Sequence, residues 1–398
     1  MEAKIMPFFS ITKTYKEKVF SFCGIKLHLL RSRYKKAQKF YDFLPEKPVL
    51  RDDGLSLVYF LKDNSGEAQV ARDFCAALKK ADKIFDVSDL NNPNKTYPKF
   101  RHKITFSTGL YAKHPIYNET AVLFWEFESG MLQIRPYLFE GLQNVFLFSD
   151  FNYNYFKTVA PSSVNLFKVS YPFNFDILPN EPVVSVRKKY GLMEDDFIVF
   201  FNFSYFSSYY RKNPEAVLEA FSRALKDKAK AKLFIKTQGS EKSPLAGRFL
   251  EKVKESGLLS RTVIENKNVS RTEMLNLISS CDVYMSLHRG EGIGLGMLEA
   301  MSLGKPVIAT NYGGNTDFIK NDVAFPVDYI LICPEHLDLK AYDFVEKWAE
   351  PNTDQAASFL KTLYESPQLR IEVGAKAKAF VAEHYSNQKF IETLGKIK

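Results

Sequence analysis

The chain has 398 residues, enough for two α/β domains, and its 45% hydrophobic content is that of an ordinary globular protein. The net charge is +9, but residues 1–50 carry 11 Lys/Arg against 4 Asp/Glu, so that +7 lies there and only +2 in the remainder. A near-neutral body excludes nucleic acid as the expected partner. No stretch approaches the ~20 apolar residues of a membrane span. The four cysteines (Cys23, Cys75, Cys281, Cys333) have neither metal-ligand spacing nor a disulfide pattern, and a reducing compartment is expected.

In chain order, residues 1–50 form a basic extension. Phe20, Phe22, Ile25, Leu27, Leu29 and Leu30 mingle there with Lys26, Arg31, Arg33, Lys35 and Lys36. They predict an amphipathic segment for an anionic membrane surface, or a solvated helix packed on its own domain. No signal peptide is expected. A first domain over 51–172 opens with a strand at 55–61, a loop at 62–66 and a helix at 67–78, where Val70, Phe74 and Leu78 recur every four residues. Further strands are expected at 83–87, 121–124 and 145–148. Residues 173–184, rich in proline and without period, read as a linker.

From 185 to 350 strands and helices alternate more regularly. Strands are expected at 197–203, 232–237, 262–265, 282–287 and 306–310, and helices at 214–225, 272–278 and 296–303. Such alternation implies a parallel sheet covered on both faces. Residues 351–398 are predicted as C-terminal helices.

The densest chemistry lies in 286–317, SLHRGEGIGLGMLEAMSLGKPVIATNYGGNTD. A strand ends near Leu287, and Gly290, Gly292, Gly294 and Gly296 follow at alternate positions, where backbone can approach a ligand closely. The helix that starts there offers unpaired N–H groups and a positive dipole end, suited to phosphate. Gly304 reads as its C-terminal stop. Two carboxylates frame the segment: Glu291 in the loop and Glu299 in an otherwise apolar helix, seven residues between them. A carboxylate in such surroundings needs donors, and the vicinal hydroxyls of a ribose would serve. The plainer readings are a surface charge for Glu299 and an exposed loop residue for Glu291. The glycine spacing does not match a dinucleotide fingerprint.

EGIGLGMLEAMSLGKPVIATNYGG resembles the family 4 (group 1) retaining glycosyltransferases, whose pattern is close to EGxGLxxxEAMxxGxPVIAxxxGG. The resemblance implies a GT-B fold, α/β, with two Rossmann-like domains whose parallel sheets face each other across a cleft and C-terminal helices that pack back across it. It implies that Glu291 holds donor-sugar hydroxyls, that backbone at Gly292, Ile293, Gly294 and Leu295 meets sugar and diphosphate, and that Glu299 holds the ribose. A second block, FFNFSYFSSYYRKNPEAVLEAF (200–221), resembles the family's first strand, loop and helix of that domain. Ser204 lies in the loop, and Lys212 stands where the family has its diphosphate-binding lysine. The arginine often found six residues earlier is Phe206 here, and Arg211 is the candidate replacement. Nearer the N-terminus, NSGEAQVAR (64–72) resembles the acceptor-facing glycine loop, with Gly66 in it. VLFWEFE (122–128) resembles a strand-end WxxE-type feature of polysaccharide-building members, which places Trp125 and Glu126 on the acceptor side. The histidine many members carry there is absent; His114 lies earlier and reads as a loop residue.

The resemblance thus implies transfer of a hexose-type sugar from a nucleotide-sugar donor to a glycan or lipid-linked glycan acceptor. It implies retention of configuration and neither a cofactor nor a bound metal, for polysaccharide or lipopolysaccharide synthesis in the cytoplasm or on the inner face of the membrane. Positioning and stabilisation of the leaving group would dominate such a reaction. The alternatives are a non-catalytic nucleotide-sugar or glycan-binding subunit and a sugar-nucleotide epimerase, since one fold serves many functions.

Overall fold

The computed structural model describes residues 9–13, 17–22, 25–30, 51–59, 66–89, 100–106, 120–134, 138–139, 142–339 and 342–395. Asn64 and Ser65 of the expected glycine loop, and His114, lie outside the described residues.

The chain divides into two compact units. The first comprises Met1–Leu123, Met131–Leu147 and Phe156–Phe167, and the second Phe124–Gly130, Phe148–Tyr155 and Lys168–Lys398. The expected linker 173–184 therefore falls inside the second unit, where the Phe173 N–H donates to Tyr385 O at 3.0 Å. So do the three C-terminal helices, Thr353–Glu365, Pro367–His384 and Asn387–Gly395.

In the first unit, β1 (Phe9–Lys13), β2 (Glu17–Phe22) and β3 (Ile25–Leu30) form an antiparallel sheet. Over these residues it corrects the helical reading of the basic extension; residues 31–50 lie outside the described residues. The reason is visible in the pattern: Phe20 and Phe22, then Ile25, Leu27 and Leu29, recur with period two, which is strand spacing. The register pairs Phe20 with Leu27 and Phe22 with Ile25. Six further strands follow: β4 (Arg51–Tyr59), β5 (Phe85–Asp89), β6 (Phe100–Phe106), β7 (Thr120–Val122), β8 (Asn144–Leu147) and β9 (Asn165–Lys168). They form one sheet in the order β5-β4-β6-β7-β8-β9, parallel through the pairs from β5 to β8. The Gly66–Lys80 helix buries Val70, Phe74 and Leu78, the four-spaced stripe of the sequence, and Phe74 meets Phe106 edge to face with ring centroids 5.0 Å apart.

The second unit holds β10 (Phe197–Asn202), β11 (Ala231–Thr237), β12 (Thr262–Asn266), β13 (Val283–Ser286), β14 (Val307–Thr310) and β15 (Phe325–Val327). All are parallel, in the order β12-β11-β10-β13-β14-β15. One face of β10 and β11 (Phe197, Val199, Phe201, Leu233, Ile235) shares a core with the Pro214–Leu225, Leu245–Glu255 and Thr353–Glu365 helices through Phe221, Phe249 and Leu360. The strands are nearly continuous apolar runs, as a sheet covered on both faces requires. Pro214 at the first helical turn and the Ser270–Glu273 capping box fix where two of the helices begin. A small antiparallel pair, β16 (Tyr329–Ile332) and β17 (Trp348–Pro351), follows the sheet. Two six-stranded sheets with helices, one per unit, give the two Rossmann-like domains that the resemblance implied.

Candidate active site

The loops that leave the C-terminal ends of β10 and β13 build the site, as is usual for open parallel sheets. After β13, the chain passes through 287–294 and enters the Leu295–Ser302 helix. Gly294 stands at its N-cap with φ 93°, a conformation that admits glycine and turns the chain sharply. Gly294 O accepts the Met297 and Leu298 N–H groups at 3.0 and 3.1 Å, and the positive dipole end of the helix suits an anion. The loop is held by a second glycine-rich turn. The Gly314 N–H donates to Glu291 O at 2.7 Å, and a Cβ on Gly314 would meet Gly292 O at 1.9 Å, so no side chain fits there.

After β10, Ser204 caps the short turn Tyr205–Ser207 by accepting from the Phe206 N–H at 3.2 Å. Ser208 starts the single-turn Tyr209–Lys212 helix and donates to Asp338, which also accepts the Tyr209 N–H at 2.6 Å. That turn delivers Arg211 and Lys212 to the glycine loop. Lys212 forms a hydrogen-bonded ion pair with Glu291, and Arg211 Nη1 lies 4.0 Å from the same carboxylate. Burial alone would raise the Glu291 carboxyl, but Lys212, then Arg211 and His288, hold it down at about 2. Burial depresses the Lys212 ammonium, with Glu291 opposing. Arg211 is almost fully enclosed, 2% exposed. It donates to Gly290 O at 2.7 Å, Ser207 O at 2.9 Å and Ser207 Oγ at 2.6 Å. Of the two adjacent cations, Arg211 organises the loops and Lys212 sits on the carboxylate.

Glu299 is buried, 3% exposed, and paired with Arg271 at the start of the Arg271–Ser279 helix. A surface charge is thereby ruled out. Nearby, Tyr284 donates to Asn202 Oδ1 at 2.8 Å, and a Cβ on Gly296 would meet that hydroxyl at 2.4 Å.

Several site residues carried no sequence signal. His288 is wholly buried; its Nδ1 lies 3.0 Å from Ser286 Oγ and its Nε2 3.0 Å from Tyr312 O and 3.1 Å from Asn315 Oδ1. Burial pulls it down to about 4, so it is neutral at physiological pH and ties the two glycine turns together. Arg289 makes a two-pronged pair with Glu350 on β17, stacks over Trp348 at 5.2 Å and donates to Tyr210 O at 2.9 Å. Asn152 accepts the Trp125 N–H at 2.6 Å and donates to Gly292 O at 3.0 Å.

Of the residues expected on the acceptor side, Gly66 begins a helix of the first unit. Trp125 is 5% exposed, with its indole N–H donating to Ser129 O at 2.8 Å and its ring 5.8 Å from those of Phe127 and Tyr342. It is a core residue. Glu126 instead reaches Arg211, with Oε1 3.7 Å from Nη2. No cluster of three or more His, Cys, Asp or Glu able to hold a metal ion occurs among the described residues.

Residues 185–339 match the family described as Glycosyl transferases group 1. A sucrose synthase of Acidithiobacillus caldus is 32% identical over 104 residues, 26% of this chain and 11% of the relative. An alpha-monoglucosyldiacylglycerol synthase of Streptococcus pneumoniae is 29% identical over 166 residues, 41% of this chain and 34% of the relative. The chain thus matches 11% and 34% of the length of these curated relatives. Among solved structures, Anabaena Alr3699/HepE in complex with UDP and glucose is similar in fold, with a TM-score of 0.66 at 13% identity, covering 86% of this chain and 100% of that one.

Proposed function

With a group 1 glycosyl transferase domain at 185–339 and a two-domain fold of GT-B type as its premise, we propose that this chain transfers a hexose-type sugar from a nucleotide-sugar donor to an acceptor hydroxyl, with retention of configuration and without a resident metal. The carrying observation is one arrangement: the Lys212–Glu291 pair lies in the glycine loop that leads into the Leu295–Ser302 helix, and the buried Glu299 lies in that helix. The helix end and Lys212 suit a diphosphate, Glu299 suits ribose hydroxyls, and Glu291 suits hydroxyls of the sugar. An intact charged constellation favours an enzyme over a binding subunit. A screen of nucleotide sugars for thermal stabilisation and for hydrolysis in EDTA tests the reading; a protein stabilised by none, or active only after metal is restored, would refute it. Within that screen, Glu299→Ala is expected to weaken nucleoside diphosphate binding about tenfold or more, because a buried hydrogen bond to a charged group contributes about 1.5–3 kcal/mol. Calorimetry with unchanged affinity would remove Glu299 from the ribose.

A polysaccharide or lipid-linked glycan is the proposed acceptor, and residues 1–50 the proposed attachment to an anionic membrane. Support comes from their +7 charge and from a relative named for a glucosylated diacylglycerol. Each basic residue contributes about 1 kcal/mol near such a surface. Full-length protein is expected to co-sediment with anionic but not neutral vesicles at low salt, and a chain lacking 1–50 to stay in solution. Equal sedimentation of both would end the membrane proposal.

A further inference from the structure

Lys236, near the C-terminal end of β11, is only 4% exposed, and among the described residues its ammonium makes no hydrogen bond or ion pair. The other two buried cations of the described residues are engaged: Arg187 with Asp282 and backbone carbonyls, Arg211 with Gly290 O and Ser207. An enclosed ammonium without a partner is costly, so its retention points to a partner that the protein does not supply. Glu265, beside it on β12, is committed elsewhere: it accepts the Tyr190 hydroxyl and lies 3.4 Å from the Lys267 ammonium.

The topology places this ammonium along the donor. Leu233 and Ile235 belong to the core shared with Phe249, so alternation sends Lys236 to the opposite face of the sheet. The register sets it level with Asn202, the last residue of β10, on one side and Glu265 on the other. Asn202 marks where that face meets the glycine loop's helix, since a Cβ on Gly296 would lie 2.9 Å from its Oδ1. That helix follows β13, and its Glu299 pairs with Arg271, the first residue of the helix that follows β12. With the strands in the order β12-β11-β10-β13, a donor whose diphosphate lies at the helix start and whose ribose reaches Glu299 runs on towards the ends of β11 and β12. The part beyond the ribose is the nucleobase. Resting on the transferase reading, we propose that Lys236 is a specificity-determining residue of the donor site, its ammonium donating to a ring carbonyl oxygen of the base and so selecting uracil or guanine over adenine.

The chemistry of the bases makes the choice. Uracil and guanine carry ring carbonyls, which accept from an ammonium. Adenine carries none, and its exocyclic amine is a donor like the ammonium, so two donors would face each other with neither paired. A site built to hydrogen-bond one group rejects an analogue that lacks it more strongly than an apolar pocket could. The electrostatics agree: burial pulls the Lys236 ammonium below its ordinary 10.5, with Glu265 opposing, and an acceptor oxygen from the ligand offsets the same desolvation.

The test is calorimetry of wild type and Lys236→Met with UDP, GDP, ADP and inorganic pyrophosphate. Wild type is expected to bind the better of UDP and GDP at least about tenfold more tightly than ADP. Lys236→Met should lose about tenfold on that preferred nucleotide while ADP and pyrophosphate stay within about twofold, so that the preference collapses. Without ligand the Met variant should unfold at a higher temperature than wild type, because an unpaired buried charge gives way to an apolar chain of similar length. A wild type that binds ADP as tightly as UDP and GDP would overturn the proposal without any variant. So would a Met variant that keeps the preference, or one that loses pyrophosphate in the same proportion, which would make the phosphates the partner of Lys236. A Met variant that unfolds earlier than wild type would show a partner within the protein and overturn it too. A wild type that binds no nucleoside diphosphate would overturn the transferase reading and this inference with it.

Discussion

Glu291→Ala is expected to lower turnover by at least about a hundredfold while nucleoside diphosphate affinity stays within about threefold of wild type. The carboxylate sits in the loop before the Leu295–Ser302 helix, which in the proposed reading takes the phosphates, with Glu299 of that helix as the proposed ribose partner. A free nucleoside diphosphate therefore has no use for Glu291. It also gains something from its loss: Lys212, now paired with Glu291, becomes available to the diphosphate. The sugar loses its hydroxyl partner and its orientation, and misplacement of a reacting centre by an ångström is costly. Single-turnover hydrolysis and calorimetry separate the two effects. Glu299→Ala should show the reverse profile, with affinity lost first. If both variants lost affinity and rate in the same ratio, Glu291 would not act on the sugar.

How much of this was legible in the sequence follows the range of the interactions. The strands and helices of the second unit were readable because each apolar run is continuous and each helix begins at a local signal, such as Pro214 or the Ser270–Glu273 box. The glycine loop and its two glutamates were readable because the turn and its carboxylates are adjacent in sequence. Residues that act across the chain were not. Glu350 lies 61 positions from Arg289 and Asn152 lies 140 from Gly292, and neither spacing leaves a pattern. Trp125 looked available because a strand-end aromatic offers no sign of what will cover it; Tyr342, far along the chain, does so. The extension was misread because its charged residues suggested a helix face, although its apolar residues alternate at strand spacing. The weak strands β6 and β9 and the short β17 escaped notice for lack of a continuous apolar run, and β16, four apolar residues, for its brevity.

Lys212→Ala is expected to damage the site in two separable ways. The ammonium is largely buried and bonded to Glu291, so its removal leaves a carboxylate enclosed with Arg211 4.0 Å away as its nearest cation. An uncompensated buried charge is more costly than the absence of the pair, up to about 3 kcal/mol for a pair as enclosed as this. Thermal unfolding of Lys212→Ala should therefore show a loss that the double variant Lys212→Ala/Glu291→Ala partly restores, with a coupling of about 1–2 kcal/mol. The second effect is functional. The diphosphate loses its cation, so its affinity should fall about tenfold or more, and the leaving group loses the charge that stabilises it, so turnover should fall further still. Unlike the stability loss, neither effect returns in the double variant. Lys212→Arg should not restore full rate, because a planar fork cannot replace a compact ammonium between a carboxylate and a phosphate. Strictly additive stabilities in the cycle would show that the pair is not formed in solution, and a Lys212→Ala variant with wild-type diphosphate affinity would remove Lys212 from the donor site.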